Sequence, residues 1–223
     1  MSMDFSAGKG FFAGKDFFAG KDRDYGKWAF FAAMAVCVLL VIWVDERFLV
    51  IPADHEWKHI QPFKWLLLVH GPLGAVALLS GPLQFSDTLR RTRPKFHRWL
   101  GRIYVGAIAV SAPIAAYMGY LYEPTSIRIE QIFQGGGWFL TTLIALVCIL
   151  NRNLAAHKAW MMKSYGFCLV FVLSRVPDAF PAFHWTAQSL ADVLWGLVVA
   201  ALIVPDIVLT ARELWRKRRR PTV

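Results

Sequence analysis

The chain has 223 residues, of which 57% are hydrophobic and ten are tryptophan, a composition typical of a polytopic membrane protein. No polar segment is long enough to form a separate globular domain. The formal net charge of +10 would suit a nucleic-acid partner. However, most Lys and Arg residues lie in short segments beside apolar spans, so we expect contacts with anionic lipids and no nucleic-acid partner.

Residues 1–27 precede the first apolar segment and contain an imperfect hexapeptide repeat, FSAGKG, FFAGKD and FFAGKD. Six residues advance a helix by about 240°, so the repeated lysines would spiral around a helix, and the glycines would weaken it. We therefore expect a flexible cytoplasmic arm. Its phenylalanines and lysines would contact the membrane interface or, alternatively, dock onto other membrane subunits.

Six apolar segments follow, near 28–50, 64–86, 99–122, 132–150, 159–181 and 187–210. Each is long enough to cross a bilayer, so the sequence predicts an all-α fold, an integral membrane bundle of six transmembrane helices occupying 28–210. Cation-rich connections at 86–98 and 151–158 and a basic tail at 211–223 alternate with cation-poor connections that contain Glu123 and Glu130. The positive-inside rule then places both termini in the cytoplasm of a bacterial inner membrane.

The 86–98 connection is the most basic of these turns, and we expect its cations to contact lipid headgroups. They are Arg90, Arg91, Arg93, Lys95 and Arg98.

The first outer connection contains His55-Glu-Trp-Lys-His59, which matches the zinc-protease motif H-E-x-x-H. Charged Asp54 and Lys58 do not fit the apolar helix that carries this motif in zinc proteases, and Pro52 and Pro62 confine any helix to about two and a half turns. We therefore predict no zinc site here. The three cysteines lie inside predicted spans and match neither a disulfide framework nor a metal-ligand spacing.

The second span carries a histidine on a face of small residues. The face consists of His70, Gly74, Ala77, Gly81 and Gln84. Small residues let another helix approach closely in lipid, so His70 is predicted to point into the protein. There it either hydrogen-bonds a neighbouring helix or acts as an outer cofactor ligand or proton-handling group.

The fifth span also has a polar face, formed by His157, Met161, Ser164, Cys168 and Arg175. An arginine at this position needs an anionic partner, for which Asp178 and Asp192 are the candidates. A structural ion pair near the outer surface is the simplest interpretation.

The third span repeats the arrangement, with His97 at its start and Gly101, Tyr104, Ile108 and Ser111 along one side. If the third and fifth spans are neighbours, His97 and His157 meet at one depth and can hold a haem iron or another transition metal, with Met161 as a softer ligand. The alternative is that both histidines bind phosphates or water among the arginines. Further polar candidates on these helices are Gln84, Arg102 and Tyr104.

Four segments together resemble a family of predicted bacterial multi-pass membrane proteins catalogued only as a domain of unknown function. The segments are His70-Gly-Pro, Gly81-Pro-Leu-Gln-Phe85, His97-Arg-Trp-Leu-Gly-Arg102-Ile-Tyr104, and His157-Lys-Ala-Trp-Met161-Met-Lys-Ser-Tyr165 with Arg175. The resemblance covers roughly 66–175. It implies a membrane protein but little about activity, and the N-terminal repeats and the 55–59 motif lie outside the family pattern.

Three functional hypotheses follow from the sequence. The first is a b-type haem or quinone-linked electron-transfer protein whose ligands are the histidines of the bundle. The second is a non-catalytic subunit of a larger membrane complex that docks through the N-terminal arm. The third is a small-solute transporter, which the absence of inverted repeats or paired broken helices in the sequence disfavours.

Overall fold

A computed structural model describes residues 25–44, 60–179 and 186–218. These residues form seven α-helices and one short 3₁₀ turn at Val176–Ala179. The α-helices are α1 (Tyr25–Val44), α2 (Lys64–Gln84), α3 (Asp87–Thr92), α4 (Pro94–Tyr122), α5 (Thr125–Leu150), α6 (Leu154–Arg175) and α7 (Ala187–Arg218). The prediction of an all-α fold is confirmed for these residues. The N-terminal repeats and the 55–59 motif lie outside the described residues. So does His184, which the sequence places in the connection after the fifth predicted span.

Four of the described helices are long and apolar enough to cross a membrane. They are α2, α4, α5 and the Gln188–Trp215 part of α7. Large apolar side chains such as Leu79, Leu140 and Ile203 are at least half exposed on the bundle exterior. An exterior of this kind suits a lipid environment. The other two predicted spans correspond to α1, whose strongly apolar part is the shorter Ala32–Val41, and to α6.

Helices α2, α4, α5 and α6 form a closed ring in which each packs against the next and α6 packs back on α2. Helix α7 covers α5 and α6 from outside, and α1 packs on α6 and the 176–179 turn. The connections from α4 to α5 and from α5 to α6 are short, so these neighbours run antiparallel. The centre of the ring is filled by buried side chains, including Ala77, Tyr104, Ile108 and Ala145.

Helix α6 is the least hydrophobic of the ring helices because it is largely enclosed by its neighbours. It contacts α1, α2, α5 and α7, and Met161, Ser164, Phe167 and Cys168 are buried. At 22 residues it spans about 33 Å at 1.5 Å per residue, enough to cross a bilayer. A helix shielded from lipid does not need an apolar surface on every side.

The start of α5 differs from the sequence prediction. The predicted span begins at 132, whereas the helix begins at Thr125 and the three consecutive glycines lie in its interior. A Cβ added at Gly135 would lie 2.8 Å from the backbone nitrogen of Ala116 and 2.9 Å from the carbonyl oxygen of Ala112 on α4. The glycine is therefore required by the close approach of α4 and α5 and does not mark a helix end.

The starts of the other predicted spans shift less. The fifth span, predicted at 159–181, forms α6 from Leu154 to Arg175. Helix α4 begins at Pro94, five residues before the predicted start at 99, because proline is favoured in the first helical turn. Within the basic connection, the Ser86 hydroxyl caps α3 by accepting from the Leu89 N–H at 3.3 Å.

Candidate functional site

His97 and His157 lie in the first turns of α4 and α6, two helices that stand across the ring from each other. The two imidazoles lie close enough for their charges to interact. The Nδ1 of His157 lies 2.8 Å from the carbonyl oxygen of Ala145 on α5. A carbonyl can only accept, so Nδ1 carries the proton and donates it, and the lone pair of the neutral ring is on Nε2. The ring of His157 is thus fixed in one tautomer.

His97 is held differently. Its Nδ1 is buried and has no hydrogen-bond partner among the described residues. Its backbone carbonyl accepts a 3.4 Å hydrogen bond from the Gln84 amide of α2. Arg90 and Arg98 add positive charge close to the ring. His157 therefore has a fixed ring, and His97 has a buried nitrogen without a hydrogen-bond partner among the described residues. Two arginines lie near the pair.

Four polar side chains from three helices form a buried cluster near the middle of the ring. The Tyr104 hydroxyl lies 2.8 Å from the Ser164 hydroxyl and 3.8 Å from the Cys168 sulfur. Ser164 lies 2.7 Å from the Thr142 hydroxyl, which donates at 2.7 Å to the carbonyl of Trp138. Because the Thr142 proton is used in this way, Ser164 donates to Thr142 and Tyr104 donates to Ser164.

Tyr104, Ser164 and Cys168 lie on the inward faces that the sequence predicts, whereas Thr142 lies on none of them. The signal was weak because threonine is common in membrane helices, where its hydroxyl returns to a carbonyl of its own helix. Only the packing of α5 against α6 shows that the same hydroxyl also meets Ser164.

His70 meets α4 at a second polar contact. Its Nδ1 lies 3.0 Å from the carbonyl oxygen and 2.8 Å from the hydroxyl oxygen of Ser111. The Ser111 hydroxyl in turn donates to the His70 carbonyl at 3.1 Å. As with His157, the backbone carbonyl of a neighbouring helix fixes Nδ1 as the protonated nitrogen. The small residues on the His70 face allow a neighbouring helix to approach closely. Gly81, for example, lies directly against the Tyr165 ring of α6.

The remaining candidates from the sequence are placed as follows. Met161 is buried one turn after His157, and Arg102 is exposed. In the basic connection, Arg90 pairs with Asp87. The other cations predicted to contact headgroups have exposed side chains; they are Arg91, Arg93, Lys95 and Arg98.

Arg175 lies at the end of α6, with an exposed side chain whose guanidinium stands 5.8 Å from the centre of the Phe171 ring. Of its two predicted partners, Asp192 accepts a 2.8 Å hydrogen bond from Gln188 on its own helix. The side chain of Asp178 lies outside the described residues. An ion pair that the sequence analysis did not identify joins Lys163 of α6 to Asp206 of α7 at 2.8 Å.

Glu130 is the main correction to the sequence analysis, which assigned it to a connection outside the membrane. It lies in the second turn of α5 and is fully buried. Neither carboxyl oxygen has a hydrogen-bond partner among the described residues, and the same holds for Oε1 of Gln134 one turn further on. Trp138 is likewise buried within α5.

Comparison with known proteins assigns the chain to a family. No curated protein and no solved structure matches the chain. Residues 67–211, more than half of the chain, match the family described as "Predicted membrane protein (DUF2306)". The match includes His70, His97, His157 and Arg175, and it confirms the resemblance noted in the sequence. The chain belongs to this family of predicted membrane proteins of unknown function.

Proposed function

We propose that this protein holds a b-type haem between His97 and His157 and takes part in electron transfer within the membrane. The observation that carries the proposal is the state of the two imidazoles. His157 has its Nδ1 bound to the Ala145 carbonyl, and His97 has a buried Nδ1 without a partner among the described residues.

The donor set fits a haem better than a bare metal ion. Within the described residues no three His, Cys, Asp or Glu side chains form a group that could hold a metal ion. A haem iron needs only two axial ligands from the protein, because the macrocycle supplies the other four. A backbone carbonyl on Nδ1 is also a common second-shell partner of metal-bound histidine, since it leaves Nε2 free to ligate. Met161 is the alternative axial ligand of the α6 face.

The surroundings of the pair suit an anionic cofactor. Arg90 and Arg98 are close enough to act electrostatically on His97, and arginine is well suited to bind carboxylates such as those of a haem. The Gln84 amide holds the first turn of α4 through the His97 carbonyl. When bound, the haem would supply one-electron chemistry. The chain would orient the ligands and limit water access. The alternative to haem at this site is a quinone, a membrane-soluble redox partner.

The proposal includes a membrane topology. We infer that α1 and α6 complete a six-span bundle in a bacterial inner membrane, with both termini and the histidine pair on the cytoplasmic side. The exposed Arg91, Arg93 and Lys95 would then contact anionic headgroups. The high burial of α6 supports its inclusion, because a helix enclosed by neighbours can carry charges and still cross the membrane.

The test is haem and metal content per chain, together with visible spectra before and after reduction, for protein purified from membranes. Wild type is expected to show a Soret band and sharp α and β bands on reduction. His97→Ala and His157→Ala should each lose most of the bound haem while still inserting into the membrane. His184→Ala serves as the histidine control and should retain it.

Wild-type protein that lacks both haem and stoichiometric metal would end this proposal. If such protein co-purifies with other membrane proteins, and deletion of residues 2–24 breaks that association, the subunit hypothesis takes its place. If both histidine variants keep the cofactor, the ligands lie elsewhere.

A further inference from the structure

A cavity of about 280 Å³ lies between α5, α6 and α7. Its wall combines apolar side chains, among them Phe171, Leu190 and Leu194, with the polar Gln131, Gln134 and Ser174. Glu123 and Arg175 also line it, and both stand at the end of the bundle where α4 ends and α5 begins. The cavity therefore reaches from charged groups at that end into the apolar interior.

Glu130 does not itself line the cavity but lies between lining residues along α5. Around the helix it is separated by about 60° from Ile127 and by about 40° from Gln134, both of which line the cavity. A polar cavity of this size has room for several water molecules. The fully buried carboxyl therefore lies behind the lining residues of the cavity.

The side chain facing Glu130 on α6 is identified by register. A Cβ added at Gly137 of α5 would meet the Phe167 ring of α6 at 2.6 Å, so these two residues are opposite each other. Glu130 lies seven residues before Gly137, and Ser174 lies seven residues after Phe167 on the antiparallel helix. Seven residues are nearly two full helical turns, so Glu130 and Ser174 also face each other.

The groups around Glu130 offer acceptors and few donors. The Ser174 hydroxyl donates its proton to the Phe171 carbonyl at 3.0 Å, which leaves only lone pairs for Glu130. Oε1 of Gln134 is a buried acceptor without a partner in the described structure. Neither carboxyl oxygen of Glu130 has a donor at hydrogen-bond distance among the described residues. A buried carboxylate without a donor is costly, so this environment favours the protonated carboxyl.

The charged side chains near Glu130 lie at one end of the bundle. Glu123, in the connection between α4 and α5, repels a carboxylate electrostatically. Arg175 of α6 shares the cavity wall with Glu123. Helix α7 contributes the apolar Leu190 and Leu194, and α4 approaches α5 here with Gly119 against Gln131.

We propose that Glu130 is a proton-binding site within the membrane domain and that the cavity connects it to water at the Glu123–Arg175 end of the bundle. The site takes up a proton from cavity water and returns it there, and no other bond is formed or broken. Carboxyl groups at membrane depth commonly serve proton pathways. This assignment is independent of the histidine pair, which lies at the opposite end of α5.

Infrared difference spectroscopy of the purified protein in lipid vesicles tests the proposal, because the C=O stretch of a protonated carboxyl is separate from the amide bands. Wild type should show such a band that disappears as pH rises and shifts in D₂O, with an amplitude of one carboxyl per chain. Glu130→Gln should lose the band. Glu123→Gln, which removes the other acid of this region, should keep it.

Glu130→Asp provides a second variant should the glutamine variant fail to fold, and it should keep a band at a shifted frequency. An unchanged band in either Glu130 variant would overturn the proposal. A band in wild type that disappears on addition of NaCl at constant pH would also overturn it, because the site would then bind a cation.

Discussion

At the scale of single residues, the interior of this bundle is fixed by hydrogen bonds that cross between helices. His70 contacts Ser111 of α4, and His157 contacts the Ala145 carbonyl of α5. In both cases a backbone carbonyl selects the protonated nitrogen, so each ring has one tautomer and one orientation. Such contacts have no competition from water in a membrane interior, and they specify how the helices are aligned along their axes.

Tyr104 should contribute measurably to stability through its hydroxyl. Tyr104→Phe removes the donor to Ser164 at 2.8 Å and leaves the ring in the core. We expect a loss of about 1 kcal/mol in the free energy of unfolding, the usual value for one interhelical hydrogen bond. The measurement is reversible denaturation in detergent micelles. Tyr117→Phe, at a half-exposed tyrosine of the same helix, should change it by much less, and equal losses would contradict this reading.

At the scale of helices, close approach at glycine decides where α5 lies. Gly135 packs on the backbone of α4, and Gly137 packs on the Phe167 ring of α6, so two glycines of the same turn hold α5 between its neighbours. Gly136, between them, has no atom within 4 Å of an added Cβ. The three glycines therefore have different roles although they are consecutive.

This difference gives a prediction with an internal control. Gly135→Ala should lower the unfolding free energy by about 1–3 kcal/mol, because its methyl group would press on the backbone of Ala112 and Ala116. Gly136→Ala should be neutral or raise it by up to about 1 kcal/mol, because alanine is the better helix former and the space is open. Thermal or denaturant unfolding of both variants provides the comparison. A loss at Gly136 as large as that at Gly135 would refute the assigned packing.

The helical class, the inward faces and the family were predictable from sequence because they depend on composition and on the helical period. The position of Glu130 was not. A glutamate five residues before three glycines suggests a connection outside the membrane, and the periodicity of α5 is interrupted at the glycines. Only the contacts of Gly135 and Gly137 with the neighbouring helices show that α5 continues outward past Glu130.

At the scale of the whole molecule, the two proposed sites lie at opposite ends of the bundle. The histidine pair stands where α6 begins, and the cavity beside Glu130 lies where α6 ends. The buried cluster of Tyr104, Ser164 and Thr142 lies between them. The protein thus has polar groups at three depths inside an apolar exterior. Which compartment each site faces depends on which end of the bundle lies on which side of the membrane.

Labelling of single cysteines on either side of α4 settles that assignment. Thr88 precedes α4 and Thr125 follows it, and both side chains are exposed. In a variant in which Cys37, Cys148 and Cys168 are replaced, Thr125→Cys should react with a membrane-impermeant maleimide in intact cells. Thr88→Cys should react only after permeabilisation, because the cations around it favour the cytoplasmic side. Reaction of both cysteines from outside would show that α4 does not cross the membrane. Reaction of Thr88→Cys alone would reverse the proposed orientation and place the histidine pair on the outer side.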